Sequence, residues 1–327
     1  MSLAAGTSGW QYRDWRGRFY PERLPQSRWL EHYAARFATV EVNNAFYRLP
    51  AATTFESWRQ RTPADFVITV KASRYLTHVR RLRDPAEPVA LLLSRMEPLG
   101  DRLGPVLLQL PPTMRAEPAR LDHTLGCFPA GVRVAVEMRH RSWFVPEVRA
   151  LLERHGAALC LADRDSRPVT PLWRTAGWAY LRLHAGRGAN RPGYGDTALR
   201  SWTLRLAELW GRDVDGFVYF NNDQRACAVR DAARFALLAG RLGLEVTRVP
   251  PPPSCPGPAS RAPSLRCARG PCTRSCRRRA GTRPGSCPPP RRARSRGSTG
   301  PTPPRARGCR RAAPSGRARS WPGRRRG

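Results

Sequence analysis

Residues Gly216–Asp223 read GFVYFNND: four consecutive apolar or aromatic residues that break off into two amides and a carboxylate. Consecutive apolar positions fit a strand buried on both faces. A polar cluster at the strand's end puts chemistry at one edge of the sheet. The same grammar recurs upstream in TVEVNN, VITVKAS, VLLQLPP, VAVEMRHRSW and AYLRLH. Helical patterns lie between these runs, as where Trp29, Tyr33 and Phe37 recur at i, i+4 and i+8.

Strand and helix thus alternate about every 30 residues, the spacing of βα units. The expected strands are Gly6–Trp10, Thr39–Asn43, Phe66–Lys71, Val106–Leu110, Arg133–Glu137, Ala158–Ala162, Ala179–Leu183 and Phe217–Phe220. The expected helices are Arg28–Phe37, the stretch after Pro50 through Trp58, Pro88–Leu99, Ala119–Cys127, Val145–His155, Ala198–Trp210 and Ala226–Leu242. The sixth return helix is missing or reduced, because Asp163–Thr175 holds two prolines and no apolar period. Eight strands with seven helices favour a closed (β/α)8 TIM barrel over an open doubly wound sheet. No GxGxxG follows a strand, which argues against a dinucleotide-binding domain.

Composition divides the chain near Val249. Residues 1–249 mix apolar, acidic and basic residues and suit one barrel domain. Residues 250–327 hold 21 of the 58 basic residues, all arginine, with 17 of the 33 prolines and 6 of the 9 cysteines. The first part keeps 37 bases against all 24 acids. The tail has too few large apolar residues to pack and is expected to be disordered. Its abrupt Arg, Pro, Gly, Ser and Cys content also fits an out-of-frame reading of a GC-rich gene. Its charge would bind nucleic acid non-specifically. Cys267, Cys272 and Cys276 lack the regular spacing and histidine of a metal knuckle. No apolar run has the ~20 residues of a membrane helix, and the start of the chain lacks a secretory pattern. With Cys127, Cys160 and Cys227 scattered, the cytoplasm is the expected compartment.

Nine motifs occur in order: GTSGW, WRGRFYP, TVEVNNAFYRLP, the Thr62-Pro63 pair, the lysine strand with Thr77-His78, LLQLPP, VEMRHRSW, YLRLHA and YFNND. Together they resemble the YecE-like family, a domain of unknown function with a TIM-barrel fold, over residues 3–245. Ala185 stands where that family usually has glycine. The resemblance implies a fold and carries no settled reaction.

The candidate site gathers at the strand ends. Glu41 and Asn43 alternate with Val40 and Val42 and share one side of their strand. Glu137 ends the fifth strand with Arg139 just beyond, a carboxylate placed to act as general base or metal ligand. It can equally form a Glu–Arg pair that fills the mouth. Lys71 is the chain's single lysine; a desolvated amine there can form a Schiff base or hold a phosphate. The plainer reading is an ion pair with Glu41. Arg182 and His184 point the same way and suit an anionic ligand. His78 lies in a loop. Asn221, Asn222 and Asp223 are placed to orient ligand hydroxyls, although Asp223 also fits a helix cap. Trp10, Phe46, Tyr47 and Trp143 are aromatic candidates for stacking, or lids over the core. Gln109 reads as architectural.

These residues favour an enzyme acting on a small polar, phosphorylated or polyhydroxylated ligand by hydrolysis or isomerisation. Glu41, Lys71, Glu137 and His184 are its expected catalytic groups. A divalent metal is the one cofactor the residue types support, and no organic-cofactor motif is present. The alternative is a non-catalytic nucleic-acid-binding protein that uses the basic, aromatic-lined rim.

Overall fold

The computed structural model describes residues 2–251. The order–disorder reading of the tail and its three clustered cysteines lies outside the described residues. Strands β1 (Leu3–Thr7), β2 (Thr39–Val42), β3 (Val67–Lys71), β4 (Leu103–Gln109) and β5 (Val134–Glu137) come first. Then follow β6 (Ala158–Leu159), β7 (Leu161–Arg164), β8 (Arg167–Pro168), β9 (Ala179–Leu183) and β10 (Gly216–Phe220). They form one sheet in the order β6-β5-β4-β3-β2-β1-β10-β9-β7-β8. Every ladder is parallel except the short β7–β8 hairpin.

The two ends of that ladder belong to one extended segment, divided at Cys160. Ala158 and Leu159 pair with Ala135 and Val136 of β5. Leu161, Ala162 and Asp163 pair with Leu181, Arg182 and Leu183 of β9. The architecture is α/β with a curled sheet. Between the strands run α1 (Trp29–Ala34), α2 (Asn44–Tyr47), α3 (Ala52–Gln60), α4 (Ala86–Met96), α5 (Pro118–Gly126), α6 (Pro146–Arg154) and α7 (Asp196–Trp210), and α8 (Cys227–Arg241) follows β10. As the prolines in Asp163–Thr175 imply, no helix follows β7. No described helix is long and apolar enough to cross a membrane.

Side-chain alternation gives the sheet two unlike faces. Val40, Val42, Ile68, Val70, Val106, Leu108, Val134, Val136, Leu181 and Val218 pack outward on helix residues such as Leu30, Phe55, Val89, Leu152 and Phe235. Each such burial contributes about 1.5–3 kcal/mol, so this layer dominates stability. The inner face carries a separate cluster that includes Ala4, Leu107, Ala135, Cys160, Tyr180, Phe217 and Tyr219. Above it, towards the C-terminal strand ends, the inner face turns polar. The hydroxyl of Tyr219 bridges Oγ1 of Thr39 and Oγ1 of Thr69, at 2.7 Å each, and so ties β10 to β2 and β3.

The first strand departs from expectation. It runs Leu3–Thr7 rather than Gly6–Trp10, so GTSGW lies at the strand's end and in the loop beyond. Small residues hide its alternation. Gly6 sits so close to β2 that a Cβ there would lie 2.5 Å from the Thr39 carbonyl oxygen. Trp10 belongs to the loop and packs edge-on against Trp58 at 5.5 Å.

Candidate functional site

Four strand ends meet in a buried charge network. Arg182 of β9 reaches across the concave face, its NH2 2.7 Å from Glu41 Oε1 on β2 and its NH1 2.6 Å from Glu137 Oε2 on β5. All three side chains are at most 2% exposed. The Tyr180 hydroxyl donates to the other Glu41 oxygen at 2.6 Å. Glu137 also accepts from Gln109 Nε2 at 2.8 Å, Arg139 Nε at 2.9 Å and His184 Nε2 at 3.1 Å. Burial alone would push its carboxyl up; Arg182, then His184 and Arg139, hold it well below the usual range.

His184 is fixed at both ring nitrogens. Nε2 meets Glu137, and Nδ1 meets Asn221 Nδ2 at 3.1 Å. The amide donates, so this arrangement places the imidazole proton on Nε2. Burial lowers its pKa, and Glu137 opposes that shift.

Lys71 stands apart. No carboxylate among the described residues lies within 4 Å of it, so the expected Lys71–Glu41 ion pair is absent. Glu41 is taken by Arg182 and Tyr180, and its register partner on β3 is Thr69 rather than Lys71. The ammonium instead sits 4.1 Å from the centre of the Phe46 ring. Burial, followed by repulsion from Arg182, lowers its pKa to about 8 against the pull of Glu41 and Glu137.

Asp223 is the second group titrating near neutrality. Burial raises its carboxyl to about 7, with Tyr12 and Arg182 opposing. Its Oδ1 is buried without a hydrogen-bond partner. The helix-cap alternative fails, since the carboxylate bonds to no first-turn amide and α8 begins after the left-handed residues Arg225 and Ala226. Asn43 donates from Nδ2 to the Ser8 carbonyl at 2.9 Å, leaving its Oδ1 unpaired.

A cavity of ≈ 270 Å³ opens beside this network. Arg139, Arg164, His184 and Glu137 give it polar walls, with Pro112, Met138 and Val169 as the apolar part. No carboxylate among the described residues lies within 4 Å of Arg164. His78 lies near these cations: burial first, then Lys71, Arg74, Arg139 and Arg81, depress its pKa to about 4. It bonds Thr77 Oγ1 at 2.9 Å and meets the Phe46 ring edge-on at 5.0 Å. Tyr47 is 80% exposed beside Phe46.

Three expected site residues are placed elsewhere. Trp143 is wholly buried, and its indole donates to the Met114 carbonyl at 2.9 Å, so it cannot stack on a ligand. Trp10 is buried on Trp58. Asn222 points towards α8, with Nδ2 donating to Asp231 Oδ2 at 2.8 Å and to the Pro192 carbonyl at 3.1 Å. Sequence reasoning missed Tyr180, Tyr12, Ser8 and Arg164 as parts of this rim, whereas Gln109, read as architectural, supports Glu137. Tyr180 was findable, standing two residues before Arg182 and therefore on the same face. The donor set does not suit a divalent metal. Among the described residues no three His, Cys, Asp or Glu side chains come together as ligands, and Glu137 has both oxygens already engaged.

Comparison with known proteins agrees with this architecture. A family model described as "Protein of unknown function DUF72" matches residues 4–255. The UPF0759 protein YecE of Escherichia coli K12 is 37% identical over 145 residues, 43% of this chain and 53% of that protein. The match thus spans about half of YecE's own length. The UPF0759 protein YunF of Bacillus subtilis 168 is 24% identical over 257 residues, covering 67% of this chain and 88% of YunF. The crystal structure of a DUF72 family protein from Thermotoga maritima MSB8 superposes with a TM-score of 0.63 at 28% identity, covering 73% of this chain and all of that one. A DUF72 family protein from Enterococcus faecalis V583 gives a TM-score of 0.62 at 18% identity, a likeness of fold alone. The family match runs from the first strand past the last helix that build this rim, and the chain belongs to the DUF72 family.

Proposed function

We propose that this chain is an enzyme that acts on a phosphorylated or polyhydroxylated ligand at the mouth of a closed (β/α)8 barrel. The shared pairing of the Ala158–Arg164 segment with β5 and β9 supports closure. The observation that carries the functional reading is Lys71, an amine shifted to about 8 with no carboxylate among the described residues within 4 Å. Around it, Glu41, Glu137 and Arg182 are committed to one another. A buried Glu–Arg–Glu triad is a poor stabiliser, because desolvation offsets most of its Coulombic gain. Such a network is better explained as a rigid support that fixes His184 and sets the field at the mouth.

In this reading Arg139 and Arg164 hold the anionic group, with His184 as a wall of the same cavity. Lys71, partly neutral near pH 8, serves as base or nucleophile. Asp223 takes or returns a proton at neutral pH. Substitution separates the rim from the arginine-rich tail, whose phosphate binding is common to every variant. Arg164→Met and Lys71→Met are each expected to weaken phosphate-ester binding about tenfold by calorimetry, the loss of one charged hydrogen bond. Unchanged affinity in both would sink the proposal.

The second reading keeps the rim and drops the chemistry. Tyr47 and Tyr75, 80% and 52% exposed, stand among Arg48, Arg74 and Arg80 on neighbouring loops. Exposed aromatics between cations are how single-stranded nucleic acid is held. That reading requires oligonucleotide affinity that falls steeply with salt and drops on Tyr47→Ala.

A further inference from the structure

Another cleft, of ≈ 380 Å³, shares no lining residue with the cavity at the mouth. Four arginines from separate parts of the chain converge on it: Arg18 from the loop after β1, Arg36 just past α1, Arg225 before α8 and Arg230 within α8. Elsewhere the surface pairs arginine with acid, as in Arg59–Asp101, Arg133–Asp215, Arg154–Asp122 and Arg248–Asp65. Here it does not. Arg230 has Asp231 Oδ1 at 3.5 Å, but no carboxylate among the described residues lies within 4 Å of the guanidinium groups of Arg18, Arg36 or Arg225.

Neutral acceptors hold these groups in place without cancelling their charge. Arg36 Nη1 donates to the His32 carbonyl at 3.0 Å, Arg225 Nη2 to the Arg191 carbonyl at 2.7 Å, and Arg230 Nη2 meets Cys227 Sγ at 3.4 Å. The backbone is fixed as well. Arg225 and Ala226 both hold a left-handed φ of +56°, which side chains rarely adopt, and the Arg225 amide donates to Asp14 Oδ2 at 2.6 Å. Cations fixed close together without counter-charge attract an anion from outside. The chain beyond Pro251 holds 21 arginines and no acid, so it can supply no neutralising carboxylate.

The aliphatic floor of the cleft, Ala226, Val229 and Ala233, is at most 8% exposed, so an acidic peptide would find little apolar surface to bury. The cleft presents guanidinium groups instead, and their planar forks match phosphate oxygens. A lone phosphate monoester carries about two charges, too few to answer every cation here. A strand brings a fresh phosphate with each nucleotide. We infer that this cleft binds the phosphate backbone of a nucleic-acid strand, irrespective of its sequence. Sequence independence follows because Phe19, the aromatic residue lining the cleft, is taken up by T-shaped contacts with Trp15, Tyr20 and His32 and offers no platform for a base. The inference is independent of the chemistry at the mouth and adds a contact surface apart from the exposed tyrosines there.

Fluorescence anisotropy on the full chain tests this, with an oligothymidylate strand and a charge-matched glutamate homopeptide as probes across a salt series. Two double variants remove equal charge: Arg18→Gln with Arg36→Gln in the cleft, and Arg149→Gln with Arg154→Gln among the acid-paired arginines of α6. All four side chains are exposed, so the fold should stand in both. Each contact to a single-strand phosphate contributes about 0.7 to the slope of log affinity against log salt. The cleft variant should therefore flatten that slope by about 1.4 and weaken strand binding roughly 25-fold at about 0.1 M salt. The α6 variant should leave both nearly unchanged, and the arginine-rich tail contributes alike to each. Equal losses in the two variants, or none in either, would overturn the inference, the strand then being held by overall charge or by the tail. An equal loss for the glutamate peptide would also overturn it and point to an acidic protein partner. Loss on Tyr47→Ala with none in the cleft variant would keep the strand at the mouth, leaving the nucleic-acid reading of the rim and removing this one.

Discussion

Glu137 accepts hydrogen bonds from four side chains, and that decides what it can do. A carboxylate so engaged has no lone pair directed at a substrate, so its role is to position Arg182 and His184. Glu137→Gln should therefore destabilise the fold by roughly 3–5 kcal/mol in urea unfolding, the cost of leaving a buried charge half compensated. Asp223 behaves oppositely. Its folded pKa of about 7 lies above the ordinary 3.8, so the folded chain holds a proton that the unfolded chain releases between those values. Stability from this group is thus lost as pH rises from about 4 to about 7. Asp223→Asn should remove that loss and unfold at higher urea than the parent at pH 8, with the gap closing towards pH 4. The inward placement of Glu41, Arg182 and His184 was legible from alternation alone. Which carboxylate meets which cation was not, because Arg182 chooses partners across the mouth, on β2 and β5, that no local spacing relates.

At the scale of elements, the strand-and-helix rhythm was readable almost throughout, since β2 to β5, β9 and β10 are bounded by Pro, Gly or charge. The first strand was misplaced because Ala4, Ala5 and Gly6 carry little β signal. The rim helix α2 escaped notice because a single turn has no period to read. Gly6 marks the tightest strand approach, and Gly6→Val should cost about 2 kcal/mol or more, read as a lower urea midpoint. The break at Cys160 was invisible in sequence, yet it lets one segment serve both ends of the ladder. The Cys160 amide donates to the Val136 carbonyl at 2.9 Å, and β7 pairs with β9. Slow hydrogen exchange at Cys160, Leu161 and Asp163 is expected for a closed ring. Fast exchange at this seam beside protected β2 and β3 amides would mean an open sheet.

At the scale of the whole molecule, the formal charge of +34 was plain from composition, whereas its focus was not. Folding brings Arg139 within reach of His78, beside Lys71, Arg74 and Arg81 of His78's own stretch of chain. It also surrounds one amine with cations and gives the nearby carboxylates other partners. The account rests on that amine, and the chain's single lysine makes it directly observable. The most direct measurement is a pH titration of the side-chain resonance of 15N-lysine-labelled protein, with and without ribose 5-phosphate. The account predicts one signal titrating near 8 and moving on addition of the ester. A signal titrating at the ordinary 10.5 and indifferent to the ester would contradict it.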